Sequence, residues 1–288
     1  MLTAAASVVD RGSANAKHTQ SAYYKTLARS GYAPVNGLQM YYEIHGSATA
    51  KPLVTIHPFA GLANVFPELA TSRQLIAVEL QGHGRTPDID RPLSFEQEAD
   101  DVAALLKHLE IEEADFFGES FGGIVAMQMA VRHSDLVRRL VLYGTTLGKF
   151  EYDRGDLISL TPEDRSVQFQ RENYKRFAPD PARWPILFSK LSQIKWEGFS
   201  RDQLRAIKTP VLMAVGDHDS LGPRLESVLD LYRLIPNAQL FVVPDAGHFI
   251  LNENATKLLP IIRAFLDESI SVIPFATIKT GYHPGETR

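Results

Sequence analysis

The chain of 288 residues contains no cysteine. Disulfides, thiolate nucleophiles and cysteine-based zinc or iron–sulfur sites are therefore excluded. No apolar run approaches the ~20 residues that cross a bilayer. No block of like charge is present: 30 Lys and Arg face 34 Asp and Glu, for a net charge of −4. Without a basic stripe or a polybasic patch, neither nucleic acid nor an anionic membrane is an expected partner. Internal repeats and low-complexity tracts are also missing. Tryptophan is scarce, at two residues, and both fall in one stretch, residues 147–207.

What is present is a globular composition, 44% hydrophobic and 22% charged, enough to bury a real core. The length suits one large α/β domain with a small insertion, or two ordinary domains. Residues 1–30 read as a polar, mobile leader. Ala14-Asn15-Ala16 resembles a small-x-small cleavage site. However, no positive charge precedes the apolar residues 2–9, and Asp10-Arg11 interrupts the segment. The expectation is a soluble, cytoplasmic protein, with export of a longer homologous form left open.

A regular pattern starts near Tyr32. Residues 32–35 and 38–44 flank Asn36-Gly37, a dipeptide suited to a tight hairpin turn. Residues 52–56 and 74–80 read as strands. Ser94, with Gln97 three residues on, signals a capped helix whose apolar side is Ala99, Val102, Leu105, Leu106 and Leu109. Further strands are read at 115–117, 140–143, 211–215 and 239–243, and helices at 124–132, 225–234 and 255–266. Strands alternating with helices imply a mostly parallel sheet covered on both faces. The alternation breaks over 147–207, which is helix-forming and rich in aromatics and far longer than an ordinary connection. It reads as an inserted helical lid between core segments 31–146 and 208–270. Residues 271–288 read as a C-terminal tail.

Gly118-Glu119-Ser120-Phe121-Gly122 matches G-x-S-x-G. The bare pattern arises readily by chance, but here it lies between a strand and an apolar helix, the setting of a nucleophile elbow. Such a turn lifts the serine oxygen clear of the sheet and sets free helix N–H groups beneath the reacting centre. A serine hydroxyl needs a base. Of nine histidines, His248 sits just after the last strand, and loops at the carboxyl ends of strands line the site of an open α/β sheet.

From Tyr32 to about Leu266 the chain resembles an α/β-hydrolase, with a Gly-Glu-Ser-Phe-Gly-Gly elbow. The resemblance implies the α/β-hydrolase fold and a catalytic triad; no cofactor or metal is expected. It points to His248, in Asp245-Ala246-Gly247-His248-Phe249, as the base. It also places the acid three residues after Gly216, at Asp219, with Asp217 as the alternative or as a turn cap. The order Ser120, Asp219, His248 is that of the fold. The oxyanion donors are then the backbone N–H groups of Phe121 and Phe59. Similar hydrolases carry His-Gly where this chain has His57-Pro58. Proline lacks an N–H, but Phe59 keeps the donor position. His83 in Gly82-His83-Gly84 reads as structural, and His218 as a solvated loop residue rather than a metal ligand.

The expected activity is cleavage of a carboxylic ester or lactone of a small, largely apolar substrate through an acyl-enzyme. Each aromatic of 147–207 taken alone reads as a packing residue; together they suggest an apolar or aromatic substrate group. Carbon–carbon bond hydrolysis of dienone acids is the nearest rival, and a non-catalytic ligand-binding role is the rival of a different class. Ser120 argues against epoxide hydrolases and haloalkane dehalogenases, which carry aspartate at the elbow.

Overall fold

The computed structural model describes residues 23, 25–47, 51–59, 67–148 and 161–267. The tail at 271–288 and most of the leader lie outside these residues. Eight strands form one sheet: β1 (Leu27–Val35), β2 (Leu38–His45), β3 (Leu53–Ile56), β4 (Leu75–Val78), β5 (Ala114–Glu119), β6 (Val137–Tyr143), β7 (Val211–Gly216) and β8 (Ala238–Val243). Their order is β1-β2-β4-β3-β5-β6-β7-β8. β2 runs antiparallel to both of its neighbours, and β3 to β8 are mutually parallel.

The hairpin forms where Asn36-Gly37 predicts it. Asn36 takes φ 47°, a conformation that asparagine tolerates and a primed turn demands. β1, however, begins at Leu27 rather than near Tyr32, so residues 27–30, read as leader, are strand. Its first half is largely exposed, so no apolar alternation marks it. Backbone pairing with β2, from Leu27 opposite His45 onward, holds it instead.

Helices α1 (Phe95–His108) and α2 (Phe121–Arg132) cover one face, and α7 (Ile250–Leu266) covers the other. Alternation along the strands sends successive side chains to opposite faces. Leu140 and Leu142 enter the core with α1 and α2, while Val141 and Tyr143 enter the core with Leu258, Ile262 and Phe265 of α7. Burying each such side chain contributes ~1.5–3 kcal/mol. Every residue of β3 and β4 is buried, as a central parallel sheet requires.

Ser94 caps α1 as expected, accepting from the Gln97 N–H at 3.1 Å. The Gln97 side chain does not close a capping box; it donates to Asp101 instead, at 3.1 Å. The same helix carries a second carboxyl of note. Glu98 is buried and accepts from the Gln81 N–H at 3.2 Å. Burial, reinforced by nearby Asp101, pushes its pKa up to about 8. The folded state therefore holds a proton that the unfolded state has released, between the ordinary glutamate range and about pH 8. Stability falls as pH rises through that window. The variant Glu98→Gln is expected to gain melting temperature over the wild type at about pH 8.5 and to converge with it at about pH 5. Thermal unfolding at the two pH values checks this; an equal difference at both would refute it.

Among the described residues, three α-helices lie between β6 and β7, α3 (Arg165–Phe177), α4 (Trp184–Leu191) and α5 (Arg201–Ala206), followed after β7 by α6 (Leu225–Leu234). Residues 149–160 of the inserted stretch, with Phe150 and Tyr152, fall outside the described residues. The helices are anchored on the core by charge and by packing. Buried Asp88 accepts from Arg183 at 3.1 Å and from Lys190 at 3.0 Å. Leu187 lies against Gly82. The Phe199 N–H bonds the Leu147 carbonyl at 2.9 Å, so the end of the insertion runs beside the exit of β6.

Candidate active site

β5, β6, β7 and β8 lie side by side in that order and run parallel, so their carboxyl ends share one rim. Ser120 follows β5, Asp219 follows β7, and His248 follows β8. Ser120 occupies φ 52°, ψ −117°, a sparsely populated conformation that costs ~1–3 kcal/mol. The surroundings hold it there. Its N–H bonds the Tyr143 carbonyl at 2.9 Å, and its carbonyl accepts from Gly123 at 3.0 Å. Gly122 admits the close approach of β3: a Cβ there would lie 2.4 Å from the Ile56 carbonyl oxygen.

The three side chains read from the sequence form one continuous hydrogen-bonded chain. His248 Nε2 lies 2.9 Å from Ser120 Oγ, and His248 Nδ1 lies 2.9 Å from Asp219 Oδ2. The other carboxylate oxygen of Asp219 accepts from the N–H groups of Leu221 and Gly222, at 3.0 and 2.7 Å. The side chain of Asp219 is 1% exposed and that of His248 8%. Gly222 makes this packing possible, because a Cβ there would come within 2.6 Å of Asp219 Oδ2 and 2.8 Å of His248 Nδ1. Asp217, the alternative acid, turns elsewhere. It binds His218 at 2.8 Å and the Ala246 N–H at 3.2 Å, the turn-capping role weighed for it. His218 is an exposed loop residue. Among the described residues, no cluster of three or more His, Asp or Glu side chains suits a metal ion.

Phe59 and Phe121 lie beside each other, ring centres 6.1 Å apart. Phe121 is the first residue of α2, so its N–H has no acceptor within the helix. The loop carrying Phe59 is fixed by two buried histidines. His57 Nε2 accepts from the Leu80 N–H at 3.1 Å, which leaves the ring proton on Nδ1, 2.9 Å from the Pro58 carbonyl. Burial lowers the pKa of His57 to about 3, so the ring stays neutral. The Pro58 carbonyl and the Phe59 N–H belong to one planar trans peptide and point in opposite directions. Pinning the carbonyl on His57 thus turns the donor away from it. His83 lies 2.9 Å from the Phe59 carbonyl and 3.0 Å from the Gln81 carbonyl, and burial depresses its pKa as well. Sequence reasoning gave His83 only a structural part and gave His57 none. A histidine that orients a peptide leaves no mark in spacing.

The aromatics of the insertion divide. Tyr174, Trp184 and Phe188 contact one another, and Phe169 is exposed. Trp196 and Phe199 instead join a row of rings that leads to the elbow. Trp196 meets Phe95 at 4.9 Å, and Phe95 meets Phe121 at 4.7 Å.

A family model described as "Alpha/beta hydrolase family" matches residues 44–259. The 2-hydroxymuconate semialdehyde hydrolase of Pseudomonas sp. (strain CF600) is 29% identical over 263 residues, covering 78% of this chain and 90% of that protein. Among solved structures, a meta-cleavage product hydrolase (CumD) of Pseudomonas fluorescens IP01 superposes with a TM-score of 0.67 at 24% identity, over 85% of this chain and 99% of its own. The enol-lactonase of Burkholderia xenovorans LB400 superposes with a TM-score of 0.64 at 22% identity, over 82% and 99% of the two chains.

Proposed function

The chain belongs to the alpha/beta hydrolase family, and from that premise we propose that it is a serine hydrolase opening a carboxylic ester or lactone of a small, largely apolar substrate. The observation that carries this reading is the unbroken chain from Ser120 Oγ through His248 to Asp219, with both links at 2.9 Å. Asp219 holds the Nδ1–H tautomer, which leaves Nε2 free to take the serine proton. Ser120 Oγ then bonds the carbonyl carbon, and its proton passes to His248. The Phe121 and Phe59 N–H groups donate to the resulting oxyanion. Collapse breaks the carbonyl carbon–oxygen bond, and His248 gives its proton to the departing alkoxide. In the second half His248 removes a proton from water, the hydroxide attacks the acyl-enzyme, and Ser120 recovers its proton as the acid leaves. Water is the only co-reactant. In this reading the α3–α5 insertion acts as the lid, and Phe59 and Phe121, ring centres 6.1 Å apart, give the site its apolar side.

Carbon–carbon cleavage of a dienone acid is the second reading, favoured by the 2-hydroxymuconate semialdehyde relative. A substrate panel separates the two: p-nitrophenyl esters of graded chain length, lactones and a dienone acid. The ester or lactone reading predicts a kcat/KM for the best ester or lactone at least ~10-fold above that for the dienone acid, a 1.4 kcal/mol preference. The opposite ranking would make the protein a carbon–carbon hydrolase. No turnover of any compound would favour the ligand-binding role.

A further inference from the structure

Tyr143, the last residue of β6, is fully buried and touches both the nucleophile and the loop of the base. Its backbone carbonyl accepts from the Ser120 N–H at 2.9 Å. Its phenol hydroxyl donates to the Gly247 carbonyl at 2.6 Å, and Gly247 immediately precedes His248. One side chain, on the face covered by α7, thus reaches from β6 to the loop that leaves β8, two strands away. The next residue, Gly144, lies against the other half of the triad. It takes φ 57°, and a Cβ there would lie 3.0 Å from His248 Nδ1 and 3.2 Å from Asp219 Oδ2. A buried phenol needs an acceptor for its hydroxyl; phenylalanine would fill the ring's place without that need.

The earlier part of the His248 loop is held by other residues. The Ala246 carbonyl accepts from the His218 N–H at 3.0 Å, and the Ala246 N–H donates to Asp217 at 3.2 Å. Lys257 donates to the Pro244 and Asp245 carbonyls at 2.9 and 3.0 Å. The tyrosine hydroxyl takes the next carbonyl along, that of Gly247. This carbonyl and the His248 N–H share one planar peptide, and a glycine leaves the orientation of that peptide open. Fixing the carbonyl therefore sets the direction in which the His248 side chain leaves the backbone. The imidazole must meet Ser120 Oγ and Asp219 Oδ2 together, each at 2.9 Å. In such an arrangement an error of about 1 Å costs on the order of 100-fold in rate.

We infer that Tyr143 is a positioning residue: by holding the Gly247 carbonyl, its hydroxyl sets His248 against a serine whose backbone the same tyrosine holds. Nucleophile and base are thereby referred to one buried residue rather than to two loops that shift independently. The inference rests on the serine-hydrolase reading above. In that reading His248 takes the serine proton and later gives it to the departing alkoxide. A p-nitrophenolate leaves without that second transfer, whereas ethoxide requires it. Displacing His248 therefore costs an alkyl ester more than a p-nitrophenyl ester.

Tyr143→Phe keeps the ring and removes only the hydroxyl. The test is steady-state kinetics with p-nitrophenyl butyrate and ethyl butyrate, with rates expressed per site titrated by a fluorophosphonate, so that unfolded chains do not count. The expected kcat/KM is lower by roughly tenfold for the first ester and by about a hundredfold for the second. KM for ethyl butyrate should change less than about twofold, since the variant leaves binding alone. Tyr143→4-aminophenylalanine, which supplies an N–H where the hydroxyl stood, should return the ratio of the two esters to within about threefold of the wild type. A merely structural role would lower both esters by one factor and leave their ratio unmoved. An unmoved ratio, no recovery with the amine, or a Tyr143→Phe chain that does not fold overturns the inference. Failure of the underlying reading shows separately, as undiminished ester hydrolysis by Ser120→Ala.

Discussion

Replacing Ser120 by alanine is expected to lower kcat for the best ester by ~10⁴-fold or more, with KM little changed. The variant removes the hydroxyl that lies 2.9 Å from His248 Nε2 and that the proposed mechanism uses to attack the carbonyl carbon. The proposed oxyanion donors, the N–H groups of Phe59 and Phe121, remain, so substrate is expected still to bind. The backbone at 120 is equally strained with alanine, and the hydrogen bond from its N–H to Tyr143 persists, so the melting temperature should hold. Steady-state kinetics beside thermal unfolding check both halves. A loss of activity that merely tracked a loss of fold would carry no weight for the mechanism.

Asp219→Asn is expected to cost about 10³- to 10⁴-fold in kcat, for a reason set by the hydrogen bonds around it. Asp219 Oδ1 accepts from two backbone donors, Leu221 and Gly222. An asparagine in that place keeps its amide oxygen toward those N–H groups, since an NH₂ there would face two donors. Its NH₂ is then directed at His248 Nδ1. The ring must accept at Nδ1 and carry its proton on Nε2, where it can no longer take the proton of Ser120. Asp217→Asn leaves this chain alone, because Asp217 binds His218 and the Ala246 N–H. It should cost no more than a few-fold, in keeping with a turn residue. The reverse ranking would move the acid to Asp217.

The readable parts of this protein are those in which chemistry is local. Asn36-Gly37 announces its turn because few residue pairs accept positive φ. The elbow is legible because Gly118 and Gly122 flank a serine between a strand and a helix. His248 is legible by its place after the last strand, whereas Asp219 is separated from Asp217 only by the resemblance to α/β-hydrolases; the structure brings both Asp219 and His248 into one hydrogen-bonded chain with Ser120. The first residues of β1 were missed because an exposed edge strand needs no apolar alternation; its stability comes from backbone pairing. Gln97 bears the signature of a capping box, yet Asp101 on the next turn is the better partner for its amide. The insertion showed its aromatics but not their division. Whether a ring such as Trp196 packs toward the elbow or away from it depends on contacts between segments distant in sequence. The role of His57 is hidden for the same reason, since its two partners, Leu80 and Pro58, come from different loops.

Reaction with a fluorophosphonate, followed by intact mass measurement and peptide mapping, tests the central claim most directly. The nucleophile assignment predicts one adduct per chain, located on Ser120, and no adduct in Ser120→Ala. An adduct on another residue, or labelling that survives Ser120→Ala, would contradict it.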